Sequence, residues 1–248
     1  MMNIKEIFEK FDKMNAYTFA TIDCDYPETR IAHLLTYDDE GLYFQTMKVK
    51  PFYRQLKETN KVAVCSLVTN QGPVTHDENG LPIFEPGYFI RANGDIREID
   101  LSELIAKSKE SSRFLPLVKD IERYPTMTTF VLHSFKGEMY DYDFDKKNRD
   151  HKIERERFSY GGMKHIDAGL YIDPEKCISC GTCAKVCTFS AIVQGDKYSI
   201  DSKTCDECGS CYSVCPVNAI KAKTPMGEDD RNACGKSILK YIDSKEKF

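Results

Sequence analysis

The feature that most constrains the fold of this chain is a repeat of cysteines near its C-terminal end. Eight of the 11 cysteines lie between Cys177 and Cys215. The first four have the spacing C-x2-C-x2-C-x3-C and recur 28 residues later, giving Cys177, Cys180, Cys183, Cys187, Cys205, Cys208, Cys211 and Cys215. Flanking residues repeat too, since Gly181 matches Gly209 and Ala191 matches Ala219. Two matching halves predict a small pseudo-twofold domain and not a long repeat array.

The spacing of the cysteines also predicts what they bind. Three thiolates at every third residue allow one loop to bind three irons of a cubane cluster, and the fourth thiolate binds the other cluster because the chain has turned away. We therefore predict two [4Fe–4S] clusters, held by Cys177, Cys180, Cys183 and Cys215 and by Cys205, Cys208, Cys211 and Cys187. Structural zinc sites usually use separated C-x2-C pairs, and disulfides need an oxidising compartment, so both alternatives explain the pattern less well.

Composition narrows the class of protein and its compartment. Hydrophobic residues make up 41% of the 248 residues, which is enough for a sizeable core. The 35 basic and 39 acidic residues give a net charge of −4, without the basic excess of nucleic-acid-binding proteins. The N-terminal segment has no secretory pattern, and no apolar run reaches 18 residues. We expect a cytoplasmic protein with no nucleic-acid or membrane partner, in an anaerobic setting that protects exposed clusters.

The first 145 residues carry the patterns of a β protein. Helical spacing predicts helices over 3–15, 51–59 and 101–110, with Asp100 as a cap for the last. Strand patterns cover 17–23, 30–37, 41–46, 62–68, a strand pair within 88–99, 127–135 and 137–144, with a loop over 69–86. Roughly seven strands with few helices predict a β-barrel decorated by helices. Residues 145–170 are highly charged and are interpreted as a solvated linker or the face of an exposed helix.

A group of basic residues surrounds the start of the helix predicted at 51–59. Lys48, Lys50 and Arg54 lie at or near its N-terminus, and Arg30 opens an earlier strand. Free amides and the helix dipole favour a phosphate at such a position, and the cations add to the attraction. The alternative is that these are ordinary solvated lysines.

Two family resemblances complete the prediction of fold. Residues 171–221 resemble the bacterial two-cluster ferredoxins, with Thr188 in place of a proline after Cys187. Residues 15–144 resemble the FMN-binding split barrels related to pyridoxamine 5′-phosphate oxidase, through TRIAHLL at 29–35, LYFQTMKVKPFYRQLKETNKVAV at 42–64 and YFIRANGDI at 88–96. The fold class implied is α+β, mainly β: a split β-barrel with flanking helices and a small C-terminal ferredoxin-like domain. The expected divisions are a barrel at 1–145, a linker at 146–170, a ferredoxin-like domain at 171–222 and a partly helical tail at 223–248.

The split-barrel resemblance also implies a set of FMN contacts. It assigns Arg30 to the phosphate and the stretch Ile31, Ala32 and His33 to the isoalloxazine ring, and it adds Gln45, Thr46, Lys48 and Lys50 as further contacts. It implies a homodimer with FMN at the subunit interface. The Arg-Lys pair of the oxidase corresponds here to Pro51-Phe52, which separates this chain from that activity. His33 and Tyr160 are the candidate proton donors, and each has an ordinary structural role as its alternative.

The combination of cofactors predicts a type of reaction. Iron–sulfur clusters pass single electrons, whereas a flavin stores two and delivers a hydride. We therefore expect a flavin-dependent reductase, in which a low-potential donor feeds the clusters and FMN reduces a small electron-poor acceptor. One alternative is an electron-transfer protein that relays electrons between protein partners and has no small-molecule substrate. Another is a split barrel that binds haem or a deazaflavin in place of FMN.

Overall fold

The structure, a computed structural model, describes residues 2–13, 17–69, 75–80, 82–83, 87–142, 153–164 and 169–223. The chain divides into two compact units, which are described separately. Unit 1 comprises Met1–Pro73, Gly87–Tyr140 and Glu156–His165, and unit 2 comprises Val74–Pro86, Asp141–Arg155 and Ile166–Phe248. The predicted helix of the tail lies outside the described residues, and the domain boundaries proposed from the sequence stay a prediction.

Unit 1 is built around one large sheet. Its N-terminal elements are α1 (Ile4–Asp12), β1 (Tyr17–Asp23), β2 (Tyr26–Ala32), β3 (Thr36–Tyr37), β4 (Leu42–Met47), α2 (Pro51–Thr59) and β5 (Lys61–Thr69). The short strands β6 (Thr75–His76) and β7 (Pro82–Ile83) follow in the chain but belong to unit 2. Unit 1 continues with β8 (Gly87–Ile99), α3 (Leu101–Glu110), a 3-10 turn at Ser112–Phe114, α4 (Leu115–Arg123), β9 (Met127–Tyr142) and β10 (Ile153–Tyr160), except that the end of β9 from Asp141 and the start of β10 up to Arg155 are counted in unit 2. The strand order is β2-β1-β5-β8-β9-β4-β3, and β10 also pairs with β9.

The two faces of this sheet bury different apolar clusters, because successive side chains of a strand point in opposite directions. On one face, aromatic rings fill the core, with the centroids of Phe19 and Phe44 5.1 Å apart and those of Phe44 and Phe130 5.7 Å apart. On the other face, Tyr43 and Val131 pack with residues of α3 and α4. The result is a mostly antiparallel half-barrel with flanking helices, and the predicted fold class is confirmed.

Two predicted breaks in the sheet are wrong. The supposed strand pair within 88–99 is the single strand β8, and the strands at 127–135 and 137–144 are the single strand β9. A Cβ on Gly94 would lie 2.1 Å from the carbonyl oxygen of Ser134, and one on Gly137 would lie 2.3 Å from that of Arg91. These glycines allow close backbone approach between neighbouring segments, a role that glycine has in strands as well as in turns.

Other differences have local causes. The predicted strand at 30–37 is divided, since β2 ends at Ala32 and β3 begins at Thr36. Helix α3 begins where predicted, but the Asp100 side chain makes no capping hydrogen bond. Part of the expected linker forms β10, in which Phe158 is fully buried against Phe135. The charged composition predicted a solvated segment, but buried residues such as Phe158 hold part of this segment in the sheet.

Unit 2 contains the cysteine repeat and has its own small core. Its elements are β11 (Leu170–Ile172), α5 (Thr182–Lys185), β12 (Ile192–Val193), β13 (Ser199–Ile200), α6 (Ser210–Val214) and β14 (Ile220–Ala222). Strand β11 pairs antiparallel with β14, and β12 pairs antiparallel with β13. In the described part of the chain, no helix has the length and apolar character needed to cross a membrane.

Hydrogen bonds and backbone angles of unit 2 follow the 28-residue repeat. The Asp173 N–H donates to the Ala219 carbonyl oxygen at 2.8 Å, and the Asp201 N–H donates to that of Ala191 at 2.9 Å. Positive φ angles also occur in pairs, at Ser179 and Glu207, Gly181 and Gly209, and Ser190 and Asn218. The equivalent loops therefore have the same shape, as the sequence repeat predicts.

Candidate functional site

The first four-cysteine set comes together at one small cavity. Its lining contains Cys177, Cys180 and Cys183 from the first loop and Cys215 from the end of the second repeat. Apolar side chains of Ile172, Ile178, Val217 and Ile220 complete the wall. The structure thus brings the fourth cysteine of one repeat to the loop of the other, which is the crossed arrangement expected from the spacing.

The second set is also held close together, with Cys211 as its buried member. Burial, together with the charges of Cys205, Cys187 and Cys208, raises the pKa of the Cys211 thiol to about 12. Burial also raises the pKa of Cys205, with Cys187 again acting on it. Cys187 therefore lies near enough to Cys205 and Cys211 to act on both thiols electrostatically.

Backbone amides point at several of these sulfur atoms. The Ala191 N–H donates to Cys187 Sγ at 3.3 Å, and its counterpart in the repeat, the Ala219 N–H, donates to Cys215 Sγ at 3.2 Å. Hydrogen bonds to sulfur and burial set the potentials of iron–sulfur clusters. The fourth cysteine of each repeat, Cys187 or Cys215, thus accepts a hydrogen bond from the equivalent backbone amide.

The donor chemistry of these sites fits iron–sulfur clusters. Each set supplies four thiols, with apolar cover and amide donors. Among the described residues, no group of three or more His, Cys, Asp or Glu side chains has the geometry to hold a single metal ion. In a cubane cluster the thiolates bind different irons, so they need not converge on one point as zinc ligands do.

A second candidate site is a cleft in unit 1 with a volume of about 470 Å³. It lies where β2, the end of β4 and the start of α2 meet. Six of the eight residues predicted to contact FMN line it, namely Arg30, Ile31, Ala32, Gln45, Thr46 and Lys50. Thr29 and Phe52 are also in the lining, together with the acidic residues Asp23 and Glu28.

Ion pairs separate the basic residues near this cleft into two groups. Arg54 is paired with Asp23 at 2.7 Å, and Lys48 lies 3.7 Å from Glu98. Lys50 lines the cleft and has no acidic partner among the described residues. Lys48 does not belong to the lining, so of the lysines predicted to bind phosphate only Lys50 faces the cleft.

Arg30 is the second cation of the cleft and is held rigidly. Its guanidinium carbon lies 4.3 Å from the centroid of the Phe52 ring, and its Nη1 donates to Thr21 Oγ1 at 2.9 Å. Burial lowers the pKa of Arg30, but a guanidinium stays protonated in proteins. A partly desolvated cation of this kind favours an anionic ligand.

Two further observations indicate that the cleft accommodates a polar ligand. Lys50 is the N-cap residue of α2, and among the described residues no side chain caps the first turn of that helix. Pro51 has no N–H and the Tyr53 N–H donates to the Lys50 carbonyl oxygen at 3.0 Å, so the Phe52 N–H is the amide left for an anion. Gln45 donates from Nε2 to the Leu117 carbonyl oxygen and to Thr129 Oγ1, both at 3.0 Å. Its Oε1 is buried without a hydrogen-bond partner, so it fits a donor group on a ligand.

The remaining predicted residues lie elsewhere. His33 is exposed and does not line the cleft. Tyr160 donates its hydroxyl to the Asp39 carbonyl oxygen at 2.6 Å and stacks on Phe135, with ring centroids 5.4 Å apart. Burial raises the pKa of Tyr160. These contacts are those of an anchor for β10, and both residues stay untested as proton donors.

Comparison with known proteins agrees with the cysteine geometry. The family model described as a 4Fe-4S dicluster domain matches residues 170–222. This match confirms the predicted iron–sulfur domain. The dicluster domain accounts for all eight cysteines of the repeat, while the ligand sets and the number of clusters stay a prediction. A search of curated proteins finds no match to this chain.

Solved structures similar to this chain cover between 52% and 64% of it in the three examples that follow. A NimC/NimA family protein from Clostridium acetobutylicum has 18% identity and a TM-score of 0.42, covering 63% of this chain and 91% of its own. A FAD-binding protein from Mesorhizobium loti has 16% identity and a TM-score of 0.36, covering 52% and 87%. A putative pyridoxamine 5′-phosphate oxidase from Listeria innocua has 12% identity and a TM-score of 0.35, covering 64% and 98%. At these scores the similarities assign no ligand or activity to this chain.

Several residues of the two sites were not found from the sequence. Gln55 lines the cleft, is buried, and donates from Nε2 to Asp23 at 2.9 Å. Near the second cysteine set, Arg155 is paired with Glu207. A polar residue on the apolar face of α2 was a signal for Gln55, whereas nothing distinguished Arg155 from the charged residues around it.

Proposed function

We propose that this protein is an oxidoreductase that uses FMN and two [4Fe–4S] clusters to reduce a small electron-poor molecule. The observation that carries the proposal is the presence, in one chain, of a dicluster domain and of a cleft with Arg30, Lys50 and an uncapped helix N-terminus. When bound, the clusters supply one-electron transfer, and FMN supplies two-electron storage and hydride delivery. The acceptor class that suits a hydride is an activated C=C bond, a nitro group, a quinone or another flavin.

The residues of the cleft have separable tasks in this proposal. Arg30 and Lys50 neutralise the phosphate, and the Phe52 N–H at the start of α2 donates to it. Thr46 is 5% exposed at the end of β4 and supplies a hydroxyl beside Gln45. Ile31 and Ala32 provide an apolar surface for a flat ring, and the free Oε1 of Gln45 accepts a hydrogen bond from it.

In this proposal the cysteines bind the clusters, and the buried core of the domain excludes water from them. Six apolar or thiol-bearing residues form the buried core of the dicluster domain, among them Ala219 and Ile220 at 1% exposure. The main-chain N–H groups of Ala191 and Ala219 also donate to the sulfur atoms of Cys187 and Cys215. A low-potential electron donor is the partner that such a domain requires.

We include a homodimer in the proposal because the strands beside the cleft expose large apolar side chains. Ile22, Tyr26 and Ile31 are 47%, 74% and 68% exposed on β1 and β2. Strand β2 is the edge of the sheet, and exposed apolar groups on an edge strand favour contact with another protein surface. Light scattering of the protein as purified tests this part, and a monomer at micromolar concentration would refute it.

The central experiment is an anaerobic reduction and reoxidation series on the full-length protein. Mass analysis of acid-released material should identify FMN, and iron analysis should give about eight irons per chain, as two cubane clusters require. After reduction with dithionite, a panel of quinones, nitroaromatics and activated alkenes should reoxidise the protein rapidly. Haem or a deazaflavin in the released material would refute the flavin assignment.

The same series separates an enzyme from an electron carrier. Reoxidation by protein acceptors alone, with every small acceptor inert, would refute the reductase and favour the carrier. Cys65 offers a matched control for the iron analysis, because it is a strand cysteine outside the dicluster domain. Cys65→Ala should keep the full iron content, whereas Cys211→Ala should not.

A further inference from the structure

An ion pair between a buried arginine and a solvent-exposed glutamate lies beside the second cysteine set, and the arginine comes from outside the cysteine repeat. The side chain of Arg155, near the start of β10, is 3% exposed and pairs with the Glu207 carboxylate. The Arg155 main-chain N–H also donates to the Lys203 carbonyl oxygen at 2.8 Å. All three residues belong to unit 2, so Arg155 is attached twice to the loop that carries Cys205.

The position of the carboxylate in this pair is closely defined. The Glu207 N–H donates to Cys205 Sγ at 3.3 Å, in a residue with a φ of +62°. A Cβ on Gly169 would lie 3.0 Å from Glu207 Oε1, so the absence of a side chain there leaves room for the carboxylate. Glu207 is thus fixed by its own backbone, by Gly169 and by Arg155.

The two charges of the pair act on Cys205 in opposite directions. The Glu207 main-chain N–H is bonded to Cys205 Sγ, and the Arg155 main-chain N–H is bonded to Lys203, two residues before Cys205. The opposite directions follow from electrostatics, since a nearby anion disfavours another negative charge and a cation favours it. Any negatively charged group bound by Cys205 is subject to the same two influences.

Among the described residues, the first repeat has no pair with a buried arginine, since its Asp173–Lys221 pair has a partly exposed lysine. The residue that corresponds to Glu207 is Ser179, which is uncharged. The cation near Cys177 is Lys197, an exposed residue whose Nζ donates to the Cys177 carbonyl oxygen at 2.5 Å. Solvent screens exposed charges much more than buried ones, so the electrostatic surroundings of the two cysteine sets are unequal.

We propose that Arg155 and Glu207 are positioning residues that set the reduction potential of the cluster at Cys205 apart from that of its partner. This inference rests on the two-cluster part of the proposed function. Uptake of one electron makes a [4Fe–4S] cluster more negative by one charge. The Arg155 cation therefore favours the reduced form and the Glu207 carboxylate disfavours it. Replacing either residue by a neutral one takes away its own charge, so the two replacements shift the potential in opposite directions.

The test is an anaerobic potentiometric titration followed by electron paramagnetic resonance, on the full-length protein with its clusters. Arg155→Gln should lower one of the two cluster potentials, with a change of about tenfold in the oxidised-to-reduced ratio, equal to about 59 mV for one electron. Glu207→Gln should raise that same potential, and Arg155→Lys should restore it towards the wild-type value. As a control, Lys221→Gln removes a cation that pairs with Asp173 at 3.3 Å, and it should leave the Arg155-sensitive potential unchanged.

Opposite shifts in a single cluster would not arise from a merely structural role. The inference is overturned if the two variants shift the potential in the same direction, if both clusters move equally, or if neither variant differs from Lys221→Gln. If Arg155→Gln loses iron, the direction of the potential shift in Glu207→Gln still tests the proposal, with Arg155→Lys as the variant that keeps the positive charge. A wild-type protein without iron–sulfur signals would instead refute the proposed function.

Discussion

Exchanging either of two nearby lysines for glutamine should have very different effects on flavin binding. Lys50 lines the cleft without an acidic partner among the described residues, whereas Lys48 lies 3.7 Å from Glu98 and outside the lining. Both side chains are exposed. We therefore expect Lys50→Gln to weaken FMN binding and Lys48→Gln to leave it almost unchanged.

The size of the effect follows from the exposure of Lys50. At about 4 Å, two unit charges attract by about 1 kcal/mol in water and by about 4 kcal/mol at the effective dielectric constant of a protein surface. An exposed lysine beside a phosphate lies near the lower value, at about 1–2 kcal/mol after screening by salt. This corresponds to an increase of about 5- to 30-fold in the Kd of FMN.

The assay is the quenching of FMN fluorescence on titration with flavin-free protein, kept anaerobic so that the clusters stay intact. Riboflavin, which lacks the phosphate, is the control ligand, and both lysine variants should bind it as the wild type does. The effect of Lys50→Gln should also shrink at high salt. Equal losses for the two variants, or an equal loss for riboflavin, would refute the assignment of Lys50 to the phosphate.

Three further outcomes follow from the structure. Gly94→Ala should destabilise the protein by about 1–3 kcal/mol or more, measured by urea unfolding, because a Cβ would overlap a neighbouring main chain. The double variant Cys183→Ala/Cys215→Ala should lose no more iron than either single variant, whereas Cys187→Ala/Cys215→Ala should lose iron from both clusters. Glu98→Gln should lower the Tm at pH 7 more than at pH 3, as followed by circular dichroism. Burial opposes ionisation of Glu98, but hydrogen bonds from Thr128 and Lys57 hold its pKa below the ordinary 4.5, so its stabilising effect is present above pH 4.5 and is lost as the pH falls through the lowered value.

Each of these outcomes has a control or a contrary result. Gly162 has a positive φ but no atom within 4 Å of a Cβ, so Gly162→Ala measures the backbone cost alone. A smaller loss for Gly94→Ala than for Gly162→Ala would contradict the close approach. Additive iron loss in Cys183→Ala/Cys215→Ala would contradict crossed ligation. A constant difference between Glu98→Gln and the wild type across the pH range would show that the carboxylate is not selectively stabilised.

Periodic features of the sequence were sufficient to predict much of the fold. The cysteine repeat predicted the dicluster domain because thiol spacing leaves few alternatives for the chain. Strand and helix patterns placed β1, β4, α2, β5 and α3 within about two residues of their observed bounds. The two false strand breaks at Gly94 and Gly137 have one cause. A glycine within a strand that permits close packing cannot be distinguished, from the sequence alone, from a glycine in a turn.

The candidate cleft was predictable only in part, because tertiary partners decide which charges face a ligand. From the sequence alone, Lys48, Lys50 and Arg54 are equally good candidates to bind a phosphate. In the fold, Lys48 pairs with Glu98 and Arg54 pairs with Asp23. These acidic partners lie 50 and 31 positions away in the chain. The burial of Arg155 has the same origin, since Glu207 is distant in sequence and becomes a neighbour only when unit 2 folds.

The attachment of Arg155 to the Cys205 loop affects how the dicluster domain should be excised for separate study. A fragment cut at residue 170, where the family match begins, would omit the arginine that pairs with the Glu207 carboxylate, two residues after Cys205. Electrochemistry on that minimal fragment would describe an altered protein. An autonomous electron carrier taken from this chain should therefore start upstream of Ile153, so that the first residues of β10 are retained.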